Sequence, residues 1–236
     1  MDRTKYVGEE LEIFARAVNW KNYYGSLIKP YFGERVLEVG AGIGATTSAL
    51  HDPQVKEWIC LEPDAEFIKI LEQKIRDNEL STACRAKPGI VQELPQNDLY
   101  DSILYIDVLE HIQNDKAEVQ AAARHLKPGG RLIILSPAHQ WLFTPFDQAI
   151  GHFRRYSKES LAQVQPEHCT LEKLIYLDSA GMLLSLANKL MLRQAMPTVK
   201  QILFWDRWIV PISKILDRTL MFGLGKTVIG IWKRIE

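Results

Sequence analysis

Two hydrophobic periodicities alternate along the chain. Short runs dense in Val, Ile and Leu, "RVLEVG" (35–40), "EWICLEP" (57–63), "YDSILYID" (100–107) and "RLIILSP" (131–137), read as strands buried on both faces. Between them, "DAEFIKILEQKIRDN" and "NDKAEVQAAARHL" carry apolar residues at helical spacing, with Asp64 and either Asn114 or Asp115 placed as N-caps. A weaker strand near "STACRAK" (81–87) sits between the second and the fourth. Repetition of strand and helix in this manner predicts a doubly wound, parallel α/β sheet. No internal repeat or low-complexity tract interrupts it.

Toward the C-terminus the pattern changes. Ile202, Trp205, Trp208 or Ile209, Ile212, Ile215 or Leu216, and Leu220 recur at helical spacing, with Pro211 as the expected kink. Residues 180–222 hold four of the five methionines and six Lys or Arg against two Asp. This segment reads as an apolar-faced helical cap. Its stripe packs on the body or on a twin subunit, closes a lipophilic site, or rests on a membrane surface. At the other end, "ELEIFARAVNWKNYYGSLIKPYF" predicts a helix carrying Phe14, Trp20, Tyr23 and Tyr24.

Composition narrows the picture. A chain of 236 residues, 47% hydrophobic, can bury one large core. Its 29 basic and 29 acidic side chains cancel, so no global field draws it to nucleic acid, which is not expected as a partner. Cys60, Cys84 and Cys169 are odd in number and not in metal-ligand spacing, which fits a reducing compartment and gives no metal site. The N-terminal "MDRTKYVGEE" has no apolar core of a signal segment, and no uncharged run reaches about 18 residues. A cytoplasmic location is expected, with membrane association through 180–222 as the exception.

The candidate chemistry begins at "VLEVGAGIGATT" (36–47), a strand entering a tight turn that opens a helix. Gly40, Gly42 and Gly44 let the backbone turn sharply and approach a ligand. Gly40 to Ala45 satisfies the dinucleotide pattern, and Glu62 stands about twenty residues on, where a ribose-binding acid belongs. An NAD-dependent oxidoreductase is therefore one reading. Glu38 speaks against it, since a carboxylate beside the turn repels a pyrophosphate and favours a cationic ligand.

Four motifs in order resemble the class I S-adenosylmethionine-dependent methyltransferases, over about residues 30–160: "LEVGAGIGATT", "LEPDAEF" (61–67), "YDSILYIDVLEHI" (100–112) and "LKPGGRLIILSP" (126–137). The resemblance implies a Rossmann-like seven-stranded sheet, mostly parallel with an antiparallel final strand. It makes "TLEKLIYLDS" (170–179) and "KTVIGIWKR" (226–234) the closing antiparallel pair, with the helical C-terminal cap inserted between them. One methyltransferase domain follows, divided into an N-terminal helical lid (1–33), a cofactor-binding core (34–137), a substrate-side insertion (138–169) and the cap (180–222).

The same resemblance assigns S-adenosyl-L-methionine as cofactor. Glu38 would hold its methionine part, through the ammonium or by fixing the glycine turn, and Gly40, Ala41 and Gly42 would pass beneath methionine and ribose. Glu62, followed by Pro63, can accept both ribose hydroxyls, because an ionised carboxylate offers only acceptor sites. Gly89, Ile90 and Val91 stand where the family often places an adenine-side acid. Asp107 would bond the ammonium or face the acceptor, while Glu110 and His111 either join it or cap the next helix.

The stretch 138–161 follows the fifth strand on the ligand side of such sheets. His139 and His152 are the candidate bases for a hydroxyl acceptor. Arg154, Arg155 and Tyr156 either clamp an anionic group of the substrate or pair with local acids such as Asp147. Trp20 and Tyr24 would wall the substrate from the N-terminal segment. The expected activity is methyl transfer to a small-molecule, sugar or lipid-linked acceptor at oxygen, in a monomer or homodimer. The alternatives are a cofactor-binding module without turnover and the oxidoreductase.

Overall fold

The computed structural model describes residues 9–187, 189 and 197–235. Parts of the expected lid (1–8) and cap (188 and 190–196) lie outside the described residues. In chain order the strands are β1 (Arg35–Val39), β2 (Glu57–Glu62), β3 (Cys84–Pro88), β4 (Tyr100–Ile106), β5 (Leu126–Pro137), β6 (Cys169–Leu177) and β7 (Thr227–Arg234). The helices are α1 (Glu9–Ala15), α2 (Val18–Ile28), α3 (Ala45–Leu50), α4 (Ala65–Arg76), α5 (Asp115–Arg124), α6 (Pro145–Ala149), α7 (Lys158–Ala162), α8 (Ser179–Ala187), α9 (Val199–Phe204) and α10 (Val210–Thr219).

All seven strands form one sheet in the order β3-β2-β1-β4-β5-β7-β6. β7 alone runs antiparallel, and it lies between β5 and β6 rather than at the edge. The weakest strand of the sequence pattern, "CRAKP", takes the edge opposite β6, where Arg85 and Pro88 are exposed and Pro88 costs no central ladder bond. Successive residues of the central strands point to opposite layers. Val36, Leu104, Ile133 and Ile229 pack with α2 and the cap; Leu37, Ile103, Leu132 and Trp232 pack with α5 and α7.

Helix starts follow local chemistry in the core. The Asp64 carboxylate accepts the Glu66 and Phe67 N–H groups at the head of α4, and Asn114 accepts from Ala117 at the head of α5. The N-terminal segment departs from expectation, forming two helices instead of one. α1 ends at Ala15, and its last carbonyls are satisfied by the Lys21 ammonium, which donates to Phe14 O (2.5 Å) and Ala15 O (3.5 Å). Ala17, at the start of α2, has no capping side chain. Asp206, far along the chain, takes that role, accepting the N–H of Asn19 (3.1 Å) and of Trp20 (2.8 Å).

In the cap, a single π-helical turn (Trp205–Ile209) joins α9 to α10, and Pro211 sits in the first turn of α10. Pro lacks the N–H that continues the ladder, so the irregularity falls just before it.

Candidate active site

At the C-terminal ends of β1, β2 and β4 lies a cavity of about 1280 Å³. Drug-sized ligands fill roughly 300–1,000 Å³, so this space can hold a cofactor and a second reactant together.

One wall is the turn after β1. Gly40 adopts φ +67°, and a Cβ there would stand 2.8 Å from Val108, so only glycine fits. Its N–H and that of Ala41 donate to Leu61 O, which pulls the turn against β2. Gly42 donates its N–H to Glu62 Oε2 (2.8 Å), and Asp64 donates to Glu62 Oε1 (3.0 Å). Each Glu62 oxygen has a second lone pair, and the residue lines the cavity beside Pro63, Gly89 and Ile90. Burial raises its pKa.

Glu38 is absent from this lining. Its buried carboxylate sits behind the turn, where Oε2 accepts Thr47 Oγ1–H (2.6 Å) and Trp58 Nε1–H (2.8 Å), tying β1 to α3 and β2. Burial pushes its pKa up to about 7. Of the two roles expected for it, the geometry is that of fixing the turn. Because the carboxylate does not face the ligand space, it does not disfavour a dinucleotide there.

The facing wall is a cluster of ionisable groups around the end of β4. Asp107 closes that strand with φ +55° and opens onto the cavity. Crowding by protein raises its pKa to about 6, although His152, Lys21 and Lys226 draw it the other way. Lys21, which sequence reasoning missed, also lines the cavity, and burial lowers its pKa to about 8. No motif marks it, since its place depends on how α2 docks.

Glu110 and His111 belong to this wall and do not cap α5. Glu110 is fully buried; Oε2 accepts Ser136 Oγ–H (3.0 Å), while Oε1 has no hydrogen-bond partner. Desolvation raises its pKa well above the usual carboxylate range. His111 is held to about 4 by burial and by His152, whose ring meets it edge-on at 4.5 Å.

His152 is the centre of the cluster. Nδ1 lies 2.9 Å from Asp147 Oδ1, and Nε2 is 3.8 Å from the unpartnered Glu110 Oε1. Asp147 also accepts both Arg155 Nε–H (2.7 Å) and Nη2–H (2.9 Å) and the Thr144 N–H (2.8 Å). Burial opposes its charge, but the bonds from His152 and Arg155 hold its carboxyl far below the usual range. An ionised Asp147 only accepts, so the proton belongs on Nδ1 of His152 and the Nε2 lone pair is the basic one. Glu110, His111 and His152 each offer one ligand atom, all within 4.8 Å of one another, so this corner could also hold a divalent cation. The sequence, read through cysteine spacing, had no signal for that.

The arginines lock the loop. Arg155 lines the cavity but its guanidinium is spent on Asp147; Arg154 pairs with Asp115 (2.6 Å) and bonds Gln113 O, and Tyr156 donates to Asp115 (2.8 Å). Arg154 and Tyr156 do not line this cavity, and of the two roles weighed for the trio the geometry is that of pairing with local acids. His139 also lies outside the lining, stacked at 4.7 Å from Tyr176 with its Nε2 buried and without a partner. Trp20 and Tyr24 do line the cavity, and with Phe14, Phe146, Ile202 and Trp205 they make its far side apolar.

A family model described as "Methyltransferase domain" matches residues 13–173. The chain is 28% identical over 141 residues to a demethylmenaquinone methyltransferase of Tropheryma whipplei, covering 56% of this chain and 54% of the relative. It is 23% identical over 141 residues to a mitochondrial ubiquinone biosynthesis O-methyltransferase of Dictyostelium discoideum, covering 56% and 43%. The chain thus spans about half the length of the curated relatives it matches. Among solved structures, geranyl diphosphate methyltransferase in complex with SAM superposes with a TM-score of 0.64 at 10% identity, over 99% of this chain and 93% of that one. Coclaurine N-methyltransferase bound to N-methylheliamine and SAH gives 0.62 at 15% identity, over 99% and 75%. At such identities the structures speak for the fold.

Proposed function

Because the chain belongs to the class I S-adenosylmethionine-dependent methyltransferases, we propose that it methylates a hydroxyl of a lipophilic small molecule, with His152 as the base that takes the hydroxyl proton. When bound, S-adenosylmethionine supplies an electrophilic methyl group on a sulfonium. The residues present fit it: a turn without a Cβ at Gly40, and at Glu62 a carboxylate with acceptor capacity to spare for two ribose hydroxyls. Asp107 and Lys21, across the cavity, would meet the charged amino-acid end.

The observation that carries the proposal is the His152–Asp147 pair. It fixes the imidazole with Nε2 as the basic atom, in a residue that lines the cavity together with the aromatic side chains. Such a group can receive a hydroxyl proton, while Arg155 keeps Asp147 ionised and so supports the imidazolium that results. Burial disfavours the charged form of Glu110, which lessens its competition with Asp147 for the imidazolium. The aromatic lining supports a flat, apolar acceptor, and the quinone-biosynthesis names of the relatives support a ring hydroxyl. Holding the acceptor in line with the methyl group supplies much of the remaining acceleration.

The test is incubation with methyl-labelled S-adenosylmethionine and a panel of short-chain prenylated catechols and hydroquinones, followed by mass spectrometry of the methylated position. Oxygen-linked label is expected, with His152→Ala lowering turnover about 10²–10⁴-fold at unchanged cofactor affinity. Label on ring carbon, no transfer to any hydroxylated acceptor, or a fully active His152→Ala would reject the reading. The first of these would favour the carbon chemistry named for the "Ubiquinone/menaquinone biosynthesis C-methyltransferase" of Stutzerimonas stutzeri, 26% identical over 135 residues.

A further inference from the structure

The cap turns its apolar side outward. Of its helical stripe, only Ile202 and Trp205 are buried and Ile209 is half-buried, whereas Trp208 is 57% exposed, Ile215 70% and Met221 85%. Phe204, Ile212, Leu216 and Leu220 continue the same exposed ridge along α9 and α10. Leu183 and Leu184 on the neighbouring α8 are exposed as well. An apolar surface of this kind on an isolated chain marks a place of contact.

The charges of the segment are sorted by sign. Both of its acids are buried: Asp206 receives the N–H groups of Asn19 and Trp20, and Asp217 receives those of Asp178 and Ser179 and the Tyr23 hydroxyl. Four of its cations stay at the surface. Lys200, Arg207 and Arg218 are exposed, Lys214 is half-exposed, and among the described residues none of the four forms an ion pair. The Arg207 guanidinium lies 5.4 Å from the exposed Trp208 ring. The outer face of α9 and α10 therefore combines large apolar side chains with positive charge and no exposed acid.

We infer that this ridge docks the protein onto an anionic phospholipid bilayer, with Trp208, Ile212, Ile215 and Met221 inserted at the headgroup boundary. Apolar burial and attraction to anionic headgroups act together at such a surface. A second copy of the chain fits less well, because an isologous contact would set these cations against their own equivalents. The ridge also borders the site. Leu184 and Phe204 are both exposed and part of the cavity lining, so a docked protein would have its cavity mouth at the edge of the apolar phase. Among the described residues no helix is long and apolar enough to cross a membrane, so docking is the contact the segment supports. The inference stands on the surface alone and holds whichever acceptor is methylated.

The test is co-sedimentation of the full chain with vesicles of phosphatidylcholine, pure or mixed with phosphatidylglycerol. Binding is expected only with phosphatidylglycerol, and it should weaken as salt rises from about 0.1 to about 1 M. W208E/I215E/M221E should lower the bound fraction about tenfold or more, and R207E/R218E about fivefold per charge. Thermal melting of each variant, unchanged from wild type, shows that the fold persists; should W208E/I215E/M221E not fold, R207E/R218E carries the test. A wild type that stays in the supernatant with both vesicle types overturns the inference. So does binding that neither variant alters, or a dimer in sedimentation velocity that W208E/I215E/M221E dissociates while vesicles bind nothing.

Discussion

The turn after β1 and the helices of the cap obey opposite rules. In the first, apolar residues point inward and polar groups gather at the ligand space, as periodicity alone predicts. In α9, α10 and the π-turn between them, the acids Asp206 and Asp217 are inside and much of the apolar stripe is outside. The difference lies in what each element packs against. A central strand meets apolar layers on both faces, so its pattern and its burial coincide. The α9–α10 part of the cap meets two helix N-termini, at α2 and α8, whose free N–H groups need acceptors. α2 is preceded by Ala17, which cannot cap it, and the head of α8 leans on Asp217. The cap therefore presents carboxylates inward and is left with apolar residues to turn out.

That contrast can be broken most sharply at Asp217. Asp217→Ala leaves the Tyr23 hydroxyl and two backbone N–H groups without an acceptor, and should cost about 3–4 kcal/mol in denaturant unfolding. An unaltered midpoint would show that the inward acids do not hold the cap. In the turn, Glu62→Ala should weaken cofactor binding by about 1.5–3 kcal/mol, as read by calorimetry, because it removes hydrogen bonds to a charged acceptor.

Glu38 tests the turn without touching the ligand space. Its folded-state pKa, raised to about 7, lies above the ordinary 4.5, so the protonated form favours the fold. Its contribution is full below about 4.5 and is lost as pH rises through about 7. Glu38→Gln keeps an acceptor for Thr47 and Trp58 but does not titrate. The melting temperature of the variant should therefore gain on wild type as pH increases from about 5 to about 8, with cofactor affinity unaltered. A loss of affinity as large as that of Glu62→Ala would return Glu38 to the ligand. The smallest effect is expected at Ile215, where Ile215→Ala should change stability by no more than about 0.5 kcal/mol despite removing a large apolar side chain. A cost matching that of Asp217→Ala would mean that the ridge is buried in the folded protein.

That the residues proposed to meet the cofactor share one cavity was legible in the sequence because they are local. Gly40, Ala41 and Gly42 follow β1 directly, Glu62 and Pro63 end β2, and Asp107 ends β4, so a correct strand assignment brings them to one rim. The reaction half was legible only in part. "GHFRRYS" pointed to His152 and to the acid-pairing role of its arginines, but not to which of His139 and His152 borders the cavity. That depends on how the loop folds around Asp147, and no spacing encodes it.

The alternation of strand and helix determined by itself an α/β sheet, and the ordered motifs, through the family they resemble, its seven strands, the family and which strand ends meet at the cavity. Each rests on neighbours in the chain or on strand ends that parallel pairing must align. Tertiary structure alone decided that β7 slips between β5 and β6, that Lys21, Glu110 and His111 join His152, and that Glu38 stands behind the turn. It also decided which face of the cap looks outward. An amphipathic pattern tells that a helix has two faces, but the unsatisfied N–H groups of α2 and α8, brought near by the fold, select which of them is buried.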